Sequence, residues 1–264
     1  MSRGTGILVI GHGTADPVGA GECRQVAAAV AGLVPDTAVE LGFLEVIAPT
    51  VEQALARLAA RGCRDVVAAP LLLFTAGHAT RDVPEAIVAA AAAHGIGVRQ
   101  AAAFNAAPEI VAAARARRAE AFEGRPHVPP DETVLLMVGR GSSDPAALSQ
   151  LREFTAATLA DDTAAPSRVE YGFVAAARPS LAEALAAAGD PRGGVVRRIV
   201  VQPHLLFRGH VEDQVTDAVA GARDHRPDLE WVQVARLGAD PLVARGVVRR
   251  VEEVMAGESL SRHG

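Results

Sequence analysis

Short apolar runs punctuate this chain at regular intervals, and longer segments of helical spacing fill the gaps. Gly6–Ile10, Val39–Phe43, Asp65–Leu73 and Val98–Ala103 read as strands. The third is apolar from Val66 to Leu73, the pattern of a parallel strand covered on both faces. Helical patterns run from Pro17 to about Val34, from Pro49 to about Ala60, from Arg81 to about His94 and from Pro108 to about Phe122. Pro49 is expected in a first helical turn, where its missing N–H costs nothing. Four βα units in succession predict a parallel sheet with helices on both faces.

Glu123–Asp131 is rich in proline and reads as a linker. The series then repeats. Val134–Val138, Val169–Phe173 and Ile199–Phe207 match the first three strands, and Pro241 opens a last helix. Asp16 and Asp144 are 128 apart, Phe43 and Phe173 are 130 apart, and Phe74 and Phe207 are 133 apart. A slow drift in offset is the mark of loop insertions in a duplicated domain; repeats of this length are domains, not solenoid units. The predicted domains are residues 1–124 and 132–264, each a four-stranded parallel sheet, facing each other across a cleft.

Composition narrows the function. The 264 residues carry a net charge of −5 and 3% aromatics, which speaks against nucleic acid as a partner. No apolar run is long enough to span a bilayer, and no signal-like segment precedes the first strand, so the expected location is the cytoplasm. Cys23 and Cys63 have no partner spacing and are expected to be reduced structural thiols. All 26 basic residues are arginine. With no lysine in the chain, Schiff-base and P-loop chemistry are excluded, and carboxylates must be bound by arginine, histidine, hydroxyls or backbone.

Three chemistry-bearing residues of the first repeat fall at carboxyl ends of strands, where open α/β sheets bind ligands: His12, Glu45 and His78. They are spaced 33 and 33 residues apart, one βα unit each. Singly, each has an ordinary reading: a helix-capping histidine, a solvated carboxylate, a loop histidine. Together they form a mixed nitrogen–oxygen set suited to Fe²⁺, Co²⁺, Ni²⁺ or Zn²⁺, with coordination positions left open. In the second repeat Arg140 stands at the place of His12, Val174 or Ala175 at that of Glu45, and only His210 is kept. One complete site per chain is expected. His204 reads as a core histidine, and His94, His127, His225 and His263 as bland residues of helix ends, linkers or the tail.

The segments Ile10–Pro17, Gly42–Glu45 and Pro70–His78, with Asp82-Val-Pro84, resemble sirohydrochlorin chelatases of the CbiX/SirB type, in their long two-domain form. The resemblance covers nearly the whole chain and implies two chelatase-like domains, the first catalytic and the second degenerate. It implies insertion of a divalent metal, Fe²⁺, Co²⁺ or Ni²⁺, into sirohydrochlorin, on the route to sirohaem or cobalamin. His12 and His78 would be the catalytic histidines, and His12, Glu45 and His78 the metal ligands. No organic cofactor is implied. The tetrapyrrole is a polycarboxylate, so Arg140, Arg208 and His210, beside the cleft loops, are the expected substrate-binding residues; Arg81 reads as a surface arginine. A monomer with the halves as a pseudo-dimer is expected.

Three rivals remain at this level. A non-catalytic metal carrier would use the same ligands. A histidine phosphatase needs an arginine directly before its histidine, and here that residue is Gly11. A non-catalytic interaction protein would not need loops so rich in chemical groups.

Overall fold

Ile7, Leu8, Val9 and Ile10 are buried to within 2% of full exclusion from solvent, which requires cover on both faces of their strand. The computed structural model, which describes residues 4–74, 82–144, 146–192 and 194–261, supplies that cover. The first repeat contains β1 (Thr5–Gly11), α1 (Pro17–Leu33), β2 (Ala38–Phe43), α2 (Val51–Ala60), β3 (Asp65–Pro70), α3 (Asp82–His94), β4 (Gly97–Gln100) and α4 (Pro108–Phe122). The second contains β5 (Thr133–Gly139), α5 (Ala146–Leu159), β6 (Arg168–Phe173), α6 (Leu181–Gly189), β7 (Arg198–Pro203), α7 (His210–His225), β8 (Glu230–Gln233) and α8 (Pro241–Ser261). The strands form two separate four-stranded parallel sheets, ordered β2-β1-β3-β4 and β6-β5-β7-β8. The fold class is therefore the one the periodicity implied.

The period of two along each strand divides the core. Leu8, Ile10, Val66 and Ala68 pack with Val51, Leu55 and Leu58 of α2 and with Ile87 and Ala90 of α3. The intervening residues of β1 and β3 face the layer of α1 and α8, which pack on each other. The second sheet repeats the first arrangement: Val134, Leu136, Ile199 and Val201 pack with Leu185 of α6 and Val215 and Val219 of α7.

Three boundaries differ from the sequence expectation. Pro70, not Leu73, ends β3. Leu71 still donates to Ile10, but Leu72 turns back to the Pro70 carbonyl. The fourth strand is only Gly97–Gln100, set by its four-residue register against β3. Pro49 lies outside its helix. Thr50 is the N-cap, accepting from Gln53 N–H while the Gln53 side chain accepts from Thr50 N–H, so α2 begins at Val51.

The compact units also differ from the sequence repeats. One comprises residues 1–110 with 239–264, the other residues 111–238. The last helix of each repeat has left its own sheet: most of α4 belongs to the unit of the second sheet, and α8 to the unit of the first. No helix among the described residues is long and apolar enough to cross a membrane. Cys23 and Cys63 are free and buried, and burial pushes the Cys23 thiol up to about 12, as fits an unreactive packing residue.

Leu136 is fully buried on the central strand of the second sheet. Leu136→Ala is expected to lower stability by about 2–5 kcal/mol, because the void cannot fully collapse. Urea denaturation of the two proteins measures it.

Candidate metal-binding site

The pairing of β1 with β2 does not stop where the strands stop. Leu44 N–H donates to the Gly11 carbonyl and Glu45 N–H to the His12 carbonyl, both at 3.1 Å. The two loops therefore leave the sheet side by side. Gly13 makes this approach possible: its φ is +103°, and a Cβ there would lie 2.0 Å from the Glu45 carbonyl oxygen. The loop then closes onto α1 through Asp16, whose Oδ1 accepts from Val18 and Gly19 N–H at 2.8 and 3.0 Å. Thr14 Oγ1 accepts from Asp16 N–H at 3.1 Å. After Glu45, Val46 holds φ at +71°, a conformation β-branched residues rarely adopt.

The outcome is a contact between the two side chains. His12 Nε2 lies 2.9 Å from Glu45 Oε1, with the side chains 39% and 58% exposed. An imidazole and a carboxylate are thus held together at the carboxyl end of the first sheet, reachable from solvent. The carboxylate orients the ring and favours a proton on Nε2; an arriving cation would compete for both groups. His78, the third predicted ligand, lies outside the described residues, as does Arg81. Among the described residues, no three histidine, cysteine or acidic side chains gather as a metal site.

The second repeat keeps the scaffold and changes the chemistry. Val174 N–H donates to Gly139 and Ala175 N–H to Arg140, at 3.2 and 2.9 Å. Gly141 has φ +94°, and a Cβ there would lie 1.6 Å from the Ala175 carbonyl oxygen. This register puts Ala175, rather than Val174, at the position of Glu45. Arg140 takes the position of His12; it is exposed and has no ion-pair partner among the described residues. Asp144, four residues on, caps α5 by accepting from Ala146 N–H at 2.9 Å. A pocket of about 380 Å³ opens beside Ala175, lined by Phe173, Val174, Arg178 and Ser180 among others.

Arg208 is engaged within the protein. Its guanidinium meets Asp213 Oδ1 at 2.6 Å and Glu212 Oε2 at 3.8 Å, and it holds the Asp213 carboxyl below the usual carboxylate range. Glu212 is gripped in turn by Arg236, with contacts of 3.0 and 2.9 Å. Sequence reasoning missed this tether. Its only local sign was a carboxylate four residues after the arginine. His210 is exposed and is the first residue of α7.

His204 is the core histidine that its pattern suggested. It is 5% exposed, its ring centroid lies 4.1 Å from that of Phe154, and burial pushes its pKa down to about 3.

Two four-stranded parallel sheets of identical order, with a histidine–carboxylate pair at the mouth of the first, define a duplicated α/β protein with one chemically distinct repeat. The chain belongs to the CbiX family, whose model matches residues 6–121 and again 134–254. A sirohydrochlorin cobaltochelatase of Priestia megaterium is 27% identical over 96% of this chain and 80% of its own length. A sirohydrochlorin ferrochelatase of Bacillus subtilis (strain 168) is 27% identical over 95% of this chain and 92% of its own. The solved structure of SirB from Bacillus subtilis with Fe³⁺ superposes with a TM-score of 0.79, at 25% identity, covering 97% of both chains.

The buried imidazole of His204 makes stability depend on pH. Its pKa falls from 6.5 in the unfolded chain to about 3 in the fold, so the unfolded state binds the extra proton between these values. Stability should therefore be full above pH 6.5 and decline as pH falls toward 3, by about 1.4 kcal/mol per unit from this group. His204→Leu, which copies the equivalent residue Leu71, should flatten that slope. Urea midpoints at pH 7 and pH 5 compare the two.

Proposed function

We propose that this protein is a sirohydrochlorin chelatase, placing a divalent metal ion in the free macrocycle. The observation that carries the proposal is the 2.9 Å His12–Glu45 contact at the strand ends of the first repeat, in a chain of the CbiX family. The metal is a substrate. It enters through His12 and Glu45, with His78 as the third ligand, and passes to the four pyrrole nitrogens as two pyrrole protons leave. His12 and His78 accept those protons as neutral imidazoles, and Glu45 steadies the imidazolium that forms on His12. No organic cofactor takes part.

A set of nitrogen and oxygen ligands suits Fe²⁺, Co²⁺ and Ni²⁺ alike. The relatives named for cobalt and for iron support the first two, and the product would feed sirohaem or cobalamin synthesis in the cytoplasm. Initial rates with each metal, followed by the change in macrocycle absorption, identify the preferred ion. A protein that binds metal tightly but shows no metalation above the uncatalysed rate would be a carrier instead.

The substrate's carboxylates are proposed to meet the second repeat. Arg140 is the main contact, because it is exposed and uncommitted among the described residues, and Ala175 removes the carboxylate that would neutralise it. Arg208 and His210 serve as secondary contacts, with Arg208 giving up its Asp213 partner on binding.

Two outcomes test these assignments. His12→Ala should lower turnover by about 10²–10⁴-fold, the usual contribution of a general base, while His210→Ala leaves it within a few-fold. Equal damage from both would move chemistry into the second repeat. Arg140→Ala should raise KM for sirohydrochlorin by about 10–100-fold, the worth of one charged hydrogen bond, with metal affinity unchanged. Calorimetric titration with Co²⁺ alone checks the second half of that statement.

A further inference from the structure

The two exchanged helices occupy equivalent places by very different means. α8 packs on α1 and β3 of the first sheet. Its inward face offers Val247 and Val251, and the matching surface offers Val30 and Ala69, all at most 2% exposed. α4 lies in the corresponding place against α5 and β7, and beside its buried Val111, Ala113 and Ala114 it makes a set of polar contacts that α8 lacks there. Arg118, 5% exposed, donates from Nη1 to Gln202 Oε1 at 3.1 Å and from Nη2 to the Thr158 carbonyl at 2.9 Å. Gln202, 3% exposed, donates from Nε2 to the Ala114 carbonyl of α4 at 3.0 Å. Arg115 donates to the Thr158, Ala157 and Ala160 carbonyls at 3.0, 2.8 and 2.6 Å. These are carbonyls at the C-terminal end of α5, where a helix has no donors of its own.

The repeat offsets make the contrast position by position. Arg115 and Arg118 correspond to Val248 and Val251, Gln202 to Ala69, and Thr158 to Val30. The chain thus has two slots of one shape and two helices that fit them sterically. Placed in the first slot, α4 would bury Arg118 without its two side-chain acceptors, Gln202 Oε1 and Asp162 Oδ2, because Ala69 and Val34 stand at those positions. Placed in the second slot, α8 would leave Gln202 and the α5 carbonyls without donors. Both errors are penalised by the same groups that satisfy the native arrangement.

We infer that Arg115, Arg118 and Gln202 form an address that allocates α4 to the second sheet and thereby leaves the first sheet to α8. The polar set is matched only when the exchange is correct. An apolar set of equal volume would hold a helix as well and would not tell one helix from the other.

The exposed linker turns this into a measurable property. A protease recognition sequence inserted between His127 and Val128 allows the full chain to be folded first and cut afterwards. In the native arrangement each compact unit contains residues from both sides of the cut, so the two fragments must stay together. In the alternative arrangement each fragment carries its own sheet and its own helix, and the fragments separate on native size-exclusion chromatography. The parent protein should elute as one particle after cutting. R115V/R118V/Q202A, refolded from urea, should release separated fragments, about half of the total if the two arrangements become equal in free energy. V251R/A69Q, which leaves every native α4 contact in place and gives the first slot the same label, should also release them. If both variants stay as inseparable as the parent, whatever their urea midpoints, the polar set contributes stability only and the address is refuted. A triple variant that does not refold, with V251R/A69Q inseparable, refutes it equally.

Discussion

The hydrogen bonds from Leu44 to Gly11 and from Glu45 to His12 carry the β1–β2 ladder past the end of the sheet, and the first repeat's chemistry rests on them. Parallel strands bring equivalent ends to the same edge, but an edge alone leaves loops free to diverge. Here the ladder holds two loop backbones in register, and Gly13 admits the Glu45 carbonyl into space that any side chain would fill. His12 and Glu45 then meet as a consequence of backbone geometry.

The second repeat separates the scaffold from its chemistry. Arg140 to Ala175 pairs as His12 to Glu45 does, and Gly141 is as tightly confined as Gly13. A glycine under that constraint is needed wherever the loops stay paired, whatever stands beside it. The replacement of histidine by arginine and of glutamate by alanine turns an imidazole–carboxylate pair into a single guanidinium on the same scaffold.

The exchanged helices show the same logic in the core. Arg118 and Gln202 are expensive to bury and are held by a shared set of partners: each other, the Thr158 and Ala114 carbonyls, and Asp162. Such a pair adds little to stability compared with valine on alanine. Its effect is on which of two sterically equivalent partners is accepted.

Much of this was legible in the residues in order. The period of two in the strands, the helical spacing between them and the offsets of 128 to 133 define two α/β repeats, because burial on both faces imposes those patterns locally. The spacing of His12 and Glu45 by one βα unit placed both at strand ends. Their contact, by contrast, depends on β1 and β2 being neighbours in register, a pairing made by residues 32 apart and invisible to any local pattern. Arg208 read as an uncommitted cation beside the cleft; Asp213 and Glu212 claim it only once α7 has formed. The exchange of α4 and α8 had no sign in either helix. Apolar spacing says that a helix has a face to bury, and only the tertiary structure says whose sheet buries it. Arg118, written in the sequence as one more arginine on a helix, became a buried hydrogen-bonding group through the company of Gln202, 84 residues away.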